Sequence, residues 1–142
     1  GLTSGVALAL EAEAPALRAR PVEPVGWDDV ARSLAAGRRL PAPPDAPATL
    51  CDAIVTPAPG ELTFPVMRRL CGPGLAVSDA EALEAMAAAF LRLKLVLEPG
   101  GAAALAAALH RREAFDGDAV VVVASGGNVD PGVFARALPA AA

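Results

Sequence analysis

The sequence predicts an α/β domain with a mostly parallel sheet flanked by helices, and three observations support this prediction. Apolar strand-like runs alternate with helical patterns along the 142 residues, which is typical of βαβ units. One run, residues 119–123, is apolar and β-branched and leads into Ala-Ser-Gly-Gly-Asn. The helical segments are apolar over wide arcs, as expected for helices that are covered on more than one side. Because only three or four strands are visible, we expect a large part of such a domain.

Capping residues, glycines and prolines set the predicted helix boundaries. Asp28 and Asp29 open the second helix, and Gly37 ends it. Ser78 and Glu81 have the spacing of a capping box, which opens a helix that reaches about residue 95. The predicted helices cover residues 6–13, 30–36, 62–70, 78–95, 102–110 and 131–138.

The predicted strands are short and are separated by proline- and glycine-rich turns. The first ends at residue 24, or near residue 22 if the prolines stop it earlier. Residues 52–56 fit either a short strand or the start of a helix. Residues 38–47 carry four prolines and are expected to form a surface loop. The predicted strands cover residues 16–24, 75–77 and 119–124.

Composition narrows the classes of function. The net charge is −4 and no basic stripe is present, so we expect no nucleic-acid partner. The longest apolar stretch, residues 85–109, is interrupted by Arg92, Lys94 and Glu98, so we expect no membrane span. The two cysteines, Cys51 and Cys71, lack metal-site spacing, which favours a reduced, cytoplasmic protein.

The turn after the last predicted strand is the first candidate site. Ligands of open α/β sheets bind at the carboxyl ends of the strands. A serine followed by two glycines leaves the backbone there open to a flat or anionic ligand. The alternative is a tight turn alone, since Gly and Asn readily adopt positive φ. The spacing by itself leaves both interpretations open.

Two helix starts are further candidates, because backbone N–H groups at a helix N-terminus bind anions. Gly1 and Leu2 lead into the first helix, in a segment that resembles the tail of a glycine-rich anion loop. Glu98 precedes Pro99 and two glycines at another helix start. The alternative for Glu98 is an acidic residue placed near the positive end of a helix, with Pro at its first position.

The segment from Glu23 to Asp29 could hold a hard cation such as Mg²⁺ or Ca²⁺, because two carboxylates flank a turn with backbone carbonyls between them. The alternative is a helix that is capped by Asp28, with Glu23 solvated. No loop of regularly spaced oxygen ligands is present, so spacing alone favours the cap.

The only lysine and the only histidine both fit structural roles. A desolvated lysine can form a Schiff base, but Lys94 fits better as a helix-side residue with a packed stem and a solvated head. His110 follows an alanine-rich helix and fits a partner of the helix dipole. No Cys or Ser stands close to it in the sequence as a nucleophile.

Taken together and in order, several segments resemble the threonine/serine dehydratase family of pyridoxal-phosphate enzymes, which includes threonine ammonia-lyase and serine racemase. The resemblance covers nearly the whole chain, and each segment is weak alone. The segments are Gly1-Leu2-Thr3-Ser4-Gly5, Val22-Glu23-Pro24 with Asp28-Asp29 and Ser33-Leu34, Thr49-Leu50-Cys51-Asp52-Ala53, Pro59-Gly60 with Thr63-Phe64, Lys94-Leu95-Val96-Leu97-Glu98-Pro99-Gly100-Gly101-Ala102, and Val123-Ala124-Ser125-Gly126-Gly127-Asn128-Val129-Asp130.

The resemblance implies the tryptophan-synthase-β-like fold, incomplete here, with residues 1–142 as the C-terminal portion of a catalytic domain. It implies pyridoxal 5′-phosphate as cofactor. The implied reaction is β-elimination of threonine or serine to a 2-oxo acid and ammonia. The implied partners are the missing N-terminal half and, when intact, further copies in a homo-oligomer.

The resemblance also implies a role for each site residue. Ser125, with Gly126 beside it, faces the pyridine nitrogen, and an uncharged hydroxyl leaves that nitrogen unprotonated. Gly1 and Leu2 offer backbone N–H groups to the phosphate, and Glu98 lies near the ring edge. The cation ligands in part of the family are the counterparts of Glu23, Asp29 and the carbonyl of Trp27.

Two departures from the family pattern limit what the chain does alone. Nothing here matches the segment S-x-K-x-R-G that carries the Schiff-base lysine, and Lys94 matches a different helix position. The S-x-G-N-H substrate loop has no match either. We therefore expect no catalytic base in this chain and an inactive fragment. The alternatives are a racemase or another hydroxy-amino-acid dehydratase, and a non-catalytic truncated or split binding module.

Overall fold

The computed structural model describes residues 1–138. They form two compact units. Unit 1 contains Gly1–Pro47 and Thr56–Ala76, and unit 2 contains Ala48–Val55 and the chain from Val77 onward. The helices are α1 (Leu2–Glu13), α2 (Asp29–Ala36), α3 (Thr63–Leu70), α4 (Asp79–Ala88), α5 (Pro99–His110) and α6 (Pro131–Ala137), and the strands are β1 (Val22–Pro24) and β2 (Leu75–Val77).

Unit 1 is built on helix packing and one strand pair. Helix α1 packs on α3, and the buried residues of this pair include Ala7, Phe64 and Met67. The ion pair between Arg69 and Glu11 joins the same two helices at their exposed side. The sheet contains β1 and β2 alone within the described residues. Its ladder continues at one end, where the Leu75 N–H donates to the Pro21 carbonyl over 2.9 Å.

Unit 2 has an alanine core. Helices α4 and α5 pack together through side chains that are small and almost completely buried, which lets the two helix axes approach closely. These residues are Ala82, Ala85, Met86, Ala89, Ala102, Ala103, Ala106 and Ala107. The capping box predicted for α4 is confirmed, since the Ser78 hydroxyl accepts from the Glu81 N–H and the Glu81 carboxylate accepts from the Ser78 N–H.

Helix α4 ends in an unusual turn. One π-helical turn, Ala89–Leu93, follows it and closes on Lys94, which is left-handed with φ 60°. The Lys94 ammonium donates to the Leu91 carbonyl over 3.1 Å and lies at the surface. Within this unit, Phe90 stacks edge-on against Phe134 of α6, with 5.3 Å between ring centroids. The predicted structural role of Lys94 therefore fits its place in the turn.

The start of α5 packs against the backbone of the turn at Gly126. A Cβ built on Gly101 would lie 2.2 Å from the Gly126 carbonyl oxygen, which is far inside van der Waals contact. The Glu98 N–H donates to that same carbonyl over 3.1 Å. Only glycine at position 101 permits this approach, so the first turn of α5 and the turn at Gly126 are fixed together.

The α/β class predicted from the sequence is confirmed, but several predicted elements change. Residues 119–124 do not form a strand, because the described residues offer them no neighbouring strand for a ladder. The first strand is shorter than predicted, and residues 52–56 begin with the 3-10 turn Asp52–Ile54. Helix α1 starts earlier, at Leu2, and α5 starts earlier, at Pro99.

The helices of the structure were also compared with the length of a membrane span. None in residues 1–138 is both long enough and apolar enough to cross a bilayer.

A glycine-to-alanine pair tests the close approach at Gly101. We expect Gly101→Ala to lower the free energy of unfolding by about 1–3 kcal/mol, because the new Cβ meets a backbone oxygen that cannot rotate away. Gly5→Ala is the control, since it is also helical and its Cβ would meet nothing within 4 Å. It should be neutral or should stabilise by about 0.5–1 kcal/mol. Urea unfolding followed by circular dichroism measures both, and equal effects would contradict the packing.

The ion pair between Arg111 and Glu81 should stabilise unit 2 in a pH-dependent way. The two side chains are joined by hydrogen bonds of 2.6 and 3.1 Å. The Arg111 guanidinium lowers the pKa of Glu81 from 4.5 to about 2. Because the folded pKa lies below the unfolded one, the contribution is present above pH 4.5 and is lost as the pH falls through about 2.

We therefore expect Arg111→Ala to lower the free energy of unfolding at pH 7 by about 1–3 kcal/mol, and to make stability less sensitive to acid. Arg112→Ala is the matched control, because Arg112 donates only to the exposed Phe115 carbonyl in the described contacts. Denaturant unfolding between pH 2 and pH 7 measures the difference. The same loss in both variants would show that the Glu81 pair contributes nothing.

Candidate functional site

The turn of Ser125 and Gly126 lies at the start of helix α5, within unit 2. Besides the hydrogen bond from the Glu98 N–H to the Gly126 carbonyl, the Glu98 side chain itself approaches the turn. A Cβ on Gly126 would lie 2.3 Å from Glu98 Oε1, and a Cβ on Gly127 would lie 2.7 Å from the Val96 carbonyl oxygen. The structure therefore brings together three of the predicted cofactor residues, Glu98, Ser125 and Gly126.

The Ser125 hydroxyl is exposed, and the described residues offer it no hydrogen-bond partner. A free hydroxyl beside a carboxylate can accept or donate a hydrogen bond to a heterocyclic nitrogen. The residues present thus fit the polar edge of a planar cofactor. Glu98 is half-buried at the N-cap of α5 and makes no side-chain capping bond there, so its carboxylate is available as well.

A cleft of about 280 Å³ lies beside this turn in the same unit. Polar groups that sequence reasoning did not assign to the site also line it, notably Asp52, and Asp130, whose carboxylate caps α6 by accepting from the Gly132 N–H over 2.7 Å. The residues of the cleft are Thr49, Leu50, Asp52, Glu98, Pro99, Asn128, Val129, Asp130 and Val133.

One wall of the cleft is held by Asp79, the first residue of α4. Its two carboxylate oxygens accept from the Thr49 hydroxyl over 2.5 Å and from the Leu50 N–H over 3.0 Å. The Thr49 hydroxyl in turn accepts from the Cys51 N–H over 3.1 Å. The only sequence signal for this wall was the Thr-Leu-Cys-Asp-Ala segment that carried part of the family resemblance.

Buried Cys51 lies behind the same wall of unit 2. Burial raises the pKa of its thiol to about 11, so the thiol stays protonated and unreactive at neutral pH. Both cysteines of the chain are free thiols.

Gly1 and Leu2 begin α1 in unit 1. No side chain caps this helix, and the Ser4 hydroxyl instead donates to the Gly1 carbonyl over 2.9 Å. The first N–H groups of α1 are thus left without a side-chain cap. Such uncapped groups are the kind that bind an anion.

Glu23 has a role that the sequence interpretation assigned to Asp28. Its carboxylate accepts from the Val30 N–H over 2.9 Å and from the Ala31 N–H over 2.8 Å, and so caps α2 from the neighbouring strand β1. Asp28 makes no side-chain capping bond. The prediction of an Asp28 cap with a solvated Glu23 was wrong, because Glu23 is buried with its charge against the positive end of the helix.

Asp29 is fully buried at the first position of the same helix. Its Oδ2 accepts from the Thr56 hydroxyl over 3.4 Å, whereas its Oδ1 has no partner in the described contacts. Burial raises the pKa of Glu23 to about 7 and also raises the pKa of Asp29. Trp27 sits in the turn between the two, where its N–H donates to the Pro24 carbonyl over 2.9 Å.

A metal site built from side chains alone was also sought. Within the part of the chain that the structure describes, no group of three or more His, Cys, Asp or Glu side chains could hold a metal ion. A cation at Glu23 and Asp29 would need backbone oxygens to complete its ligands. An unpartnered, buried carboxylate oxygen on Asp29 fits that requirement.

Known proteins with similar sequence and structure now bear on the site. The family model described as pyridoxal-phosphate dependent enzyme matches residues 1–126. An L-threo-3-hydroxyaspartate ammonia-lyase from Pseudomonas sp. is 38% identical over 97% of this chain and 43% of its own length. A serine racemase from Oryza sativa subsp. indica is 39% identical over 97% of this chain and 41% of its own length.

Solved structures agree with this. A threonine deaminase from the organism abbreviated T.th. matches with a TM-score of 0.84 and 40% identity, over 91% of this chain and 43% of that one. The chain thus spans less than half the length of these relatives. Because the family model covers most of the chain, this protein belongs to the family of pyridoxal-phosphate dependent enzymes.

Proposed function

We propose that this chain is the C-terminal portion of the catalytic domain of a pyridoxal-phosphate dependent lyase, which dehydrates and deaminates a small hydroxy-amino acid to a 2-oxo acid and ammonia. The observation that carries the proposal is the meeting of Glu98, Ser125 and Gly126 at the start of α5. The relatives support it, since they include a threonine deaminase and a hydroxyaspartate ammonia-lyase.

The residues of the chain would hold the cofactor in three ways. The Ser125 hydroxyl would hydrogen-bond the pyridine nitrogen, with the Gly126 backbone beside the ring. Glu98 would lie near the ring edge. The N–H groups at Gly1 and Leu2 would bind the phosphate, since an uncapped helix N-terminus favours an anion.

Pyridoxal phosphate, when bound, supplies an electron sink for the carbanion chemistry of amino acids. The Ser125 hydroxyl limits that sink. Unlike a carboxylate, an alcohol does not hold the pyridine nitrogen protonated, and a weaker sink suits β-elimination. The chain supplies no base for the α-proton, since its one lysine, Lys94, donates to a backbone carbonyl in the turn after α4.

Racemisation of serine is the second candidate function. It is favoured by the serine racemase relatives at 39% identity. Both reactions begin by removal of the α-proton, so Ser125 and Glu98 would serve either one. The products separate them, since elimination releases ammonia and a 2-oxo acid whereas racemisation releases D-serine. A non-catalytic binding module is the third interpretation, and it predicts cofactor binding without either product.

Further expectations about the whole protein also belong to this proposal. We expect the intact enzyme to be a homo-oligomer, to have no nucleic-acid partner and to be cytoplasmic. The last expectation rests on the two free thiols.

We also propose that Glu23, Asp29 and the Trp27 carbonyl hold Mg²⁺ or another divalent cation. The support is the buried pair of carboxylates and the unpartnered Oδ1 of Asp29. Each Glu23 oxygen has a second lone pair, so the carboxylate can cap α2 and bind a cation together. A cation would offset the cost of burying two like charges.

Cofactor binding tests the first proposal. We expect equilibrium dialysis to show pyridoxal phosphate binding by this chain, and Ser125→Ala to weaken it about three- to tenfold, the loss of one hydrogen bond worth about 0.5–1.5 kcal/mol. Thr63→Ala removes a hydroxyl of α3 in unit 1 and should leave binding unchanged. After borohydride treatment, mass spectrometry should find no cofactor on Lys94. A reduced adduct there, or equal binding by all variants, would contradict the assigned roles.

Thermal melting tests the cation site. At pH 8, where the Glu23 carboxyl is ionised, we expect Mg²⁺ at ten times its dissociation constant to stabilise by about 1.4 kcal/mol, which raises Tm by about 2–4 °C for a chain of this size. Glu23→Gln should abolish the shift, whereas Glu13→Gln, an exposed control at the end of α1, should keep it. A shift that persists in Glu23→Gln would mean that Mg²⁺ binds elsewhere.

A further inference from the structure

The segment of residues 119–124, called the valine segment below, is an exposed apolar stretch in unit 2. Val121 is 84% exposed, Val123 45% and Val120 39%. Within the described part of the chain, the backbone of this segment makes no hydrogen bond and pairs with no strand. A β-branched run with unpaired N–H and C=O groups is a template for another strand.

A second extended segment lies beside the C-terminal end of the valine segment. Residues 94–98 pass the turn at Gly126, and the Glu98 N–H donates to the Gly126 carbonyl there. A Cβ on Gly127 would lie 2.7 Å from the Val96 carbonyl oxygen. Leu95 and Val96 are also about half exposed. The two segments therefore extend one apolar surface of unit 2.

This surface lacks the features that protect a free strand edge. Edge strands usually carry charges, proline or a bulge that blocks pairing. No charged residue and no proline stands between Asp118 and Asp130. An uncovered, uncharged valine run of this kind indicates a surface that another polypeptide covers.

We propose that the valine segment pairs with an extended segment from the remaining part of a catalytic domain of this family, by strand addition. This inference rests on the proposed function. The chain covers only 41–43% of the relatives, so most of their length is available to supply that strand. A second copy of this chain fits less well, since each copy carries a net charge of −4 and the two would repel.

The partner would meet three features of the surface. Its backbone would satisfy the N–H and C=O groups of the valine segment, as in strand addition generally. Its apolar side chains would cover Val121 and its neighbours. Pairing would also fix the end of the segment, where Ser125 enters the turn at the start of α5.

The test is co-production of the tagged 142-residue chain with the part of the T.th. threonine deaminase that it does not cover. We expect a one-to-one complex on affinity capture and size exclusion. Val121→Lys should reduce the captured partner at least about tenfold, because a lysine in a covered strand buries an unpaired charge. Leu62→Lys is the control: Leu62 is 89% exposed in unit 1, and this variant should capture the partner as the unchanged chain does.

Hydrogen exchange gives a second readout. Amides of the valine segment should exchange freely in the chain alone and become protected in the complex. Failure to form a complex, or equal capture by Val121→Lys, would overturn the proposal. A dimer of the chain alone that Val121→Lys abolishes would also overturn it, in favour of a second copy.

Activity separates this inference from the proposed function. A complex that depends on Val121 and releases 2-oxo acid from L-threonine or L-serine supports both. A complex that depends on Val121 but binds no pyridoxal phosphate would support the surface and contradict the proposed function.

Discussion

The close approach of helix α5 to the turn at Gly126 is the constraint on which the candidate site depends. Three backbone distances meet there: the bond from the Glu98 N–H, the space beside Gly101 and the space beside Gly127. Each requires a missing Cβ or an extended backbone. The glycines therefore contribute by letting two main chains touch, and the Ser125 hydroxyl and Glu98 carboxylate acquire a fixed relation through that contact.

Local features of the fold could be predicted from the sequence, because their causes lie within a few residues. The Ser78–Glu81 capping box is one example, and the left-handed Gly37 that ends α2 is another. The cap of α2 could not be predicted in this way. Its carboxylate comes from Glu23 in β1, and the competition between Glu23 and Asp28 is decided by burial, which spacing does not report.

The valine segment shows a different limit. Its residues have strong strand propensity, and that propensity predicts a strand correctly only where a neighbour supplies the ladder. The described residues supply none. For the site, Glu98, Ser125 and Gly126 were predicted through a family resemblance, whereas the wall built by Asp79 and Thr49 was not. That wall joins residues that lie far apart in the sequence, and only the folded chain shows the contact.

The distribution of chemistry along the chain has a physical logic. Setting the electronic character of a pyridine ring needs only a neutral donor held at one place, and a glycine-rich turn against a helix start can hold it rigidly. Removing an α-proton needs an amine whose pKa is tuned by its surroundings, and the one lysine of this chain is at the surface in a turn. The residues that tune the cofactor and the residue that moves the proton therefore need not share one segment. A chain that carries only the first group can be an intact binding surface and still depend on a second polypeptide for chemistry.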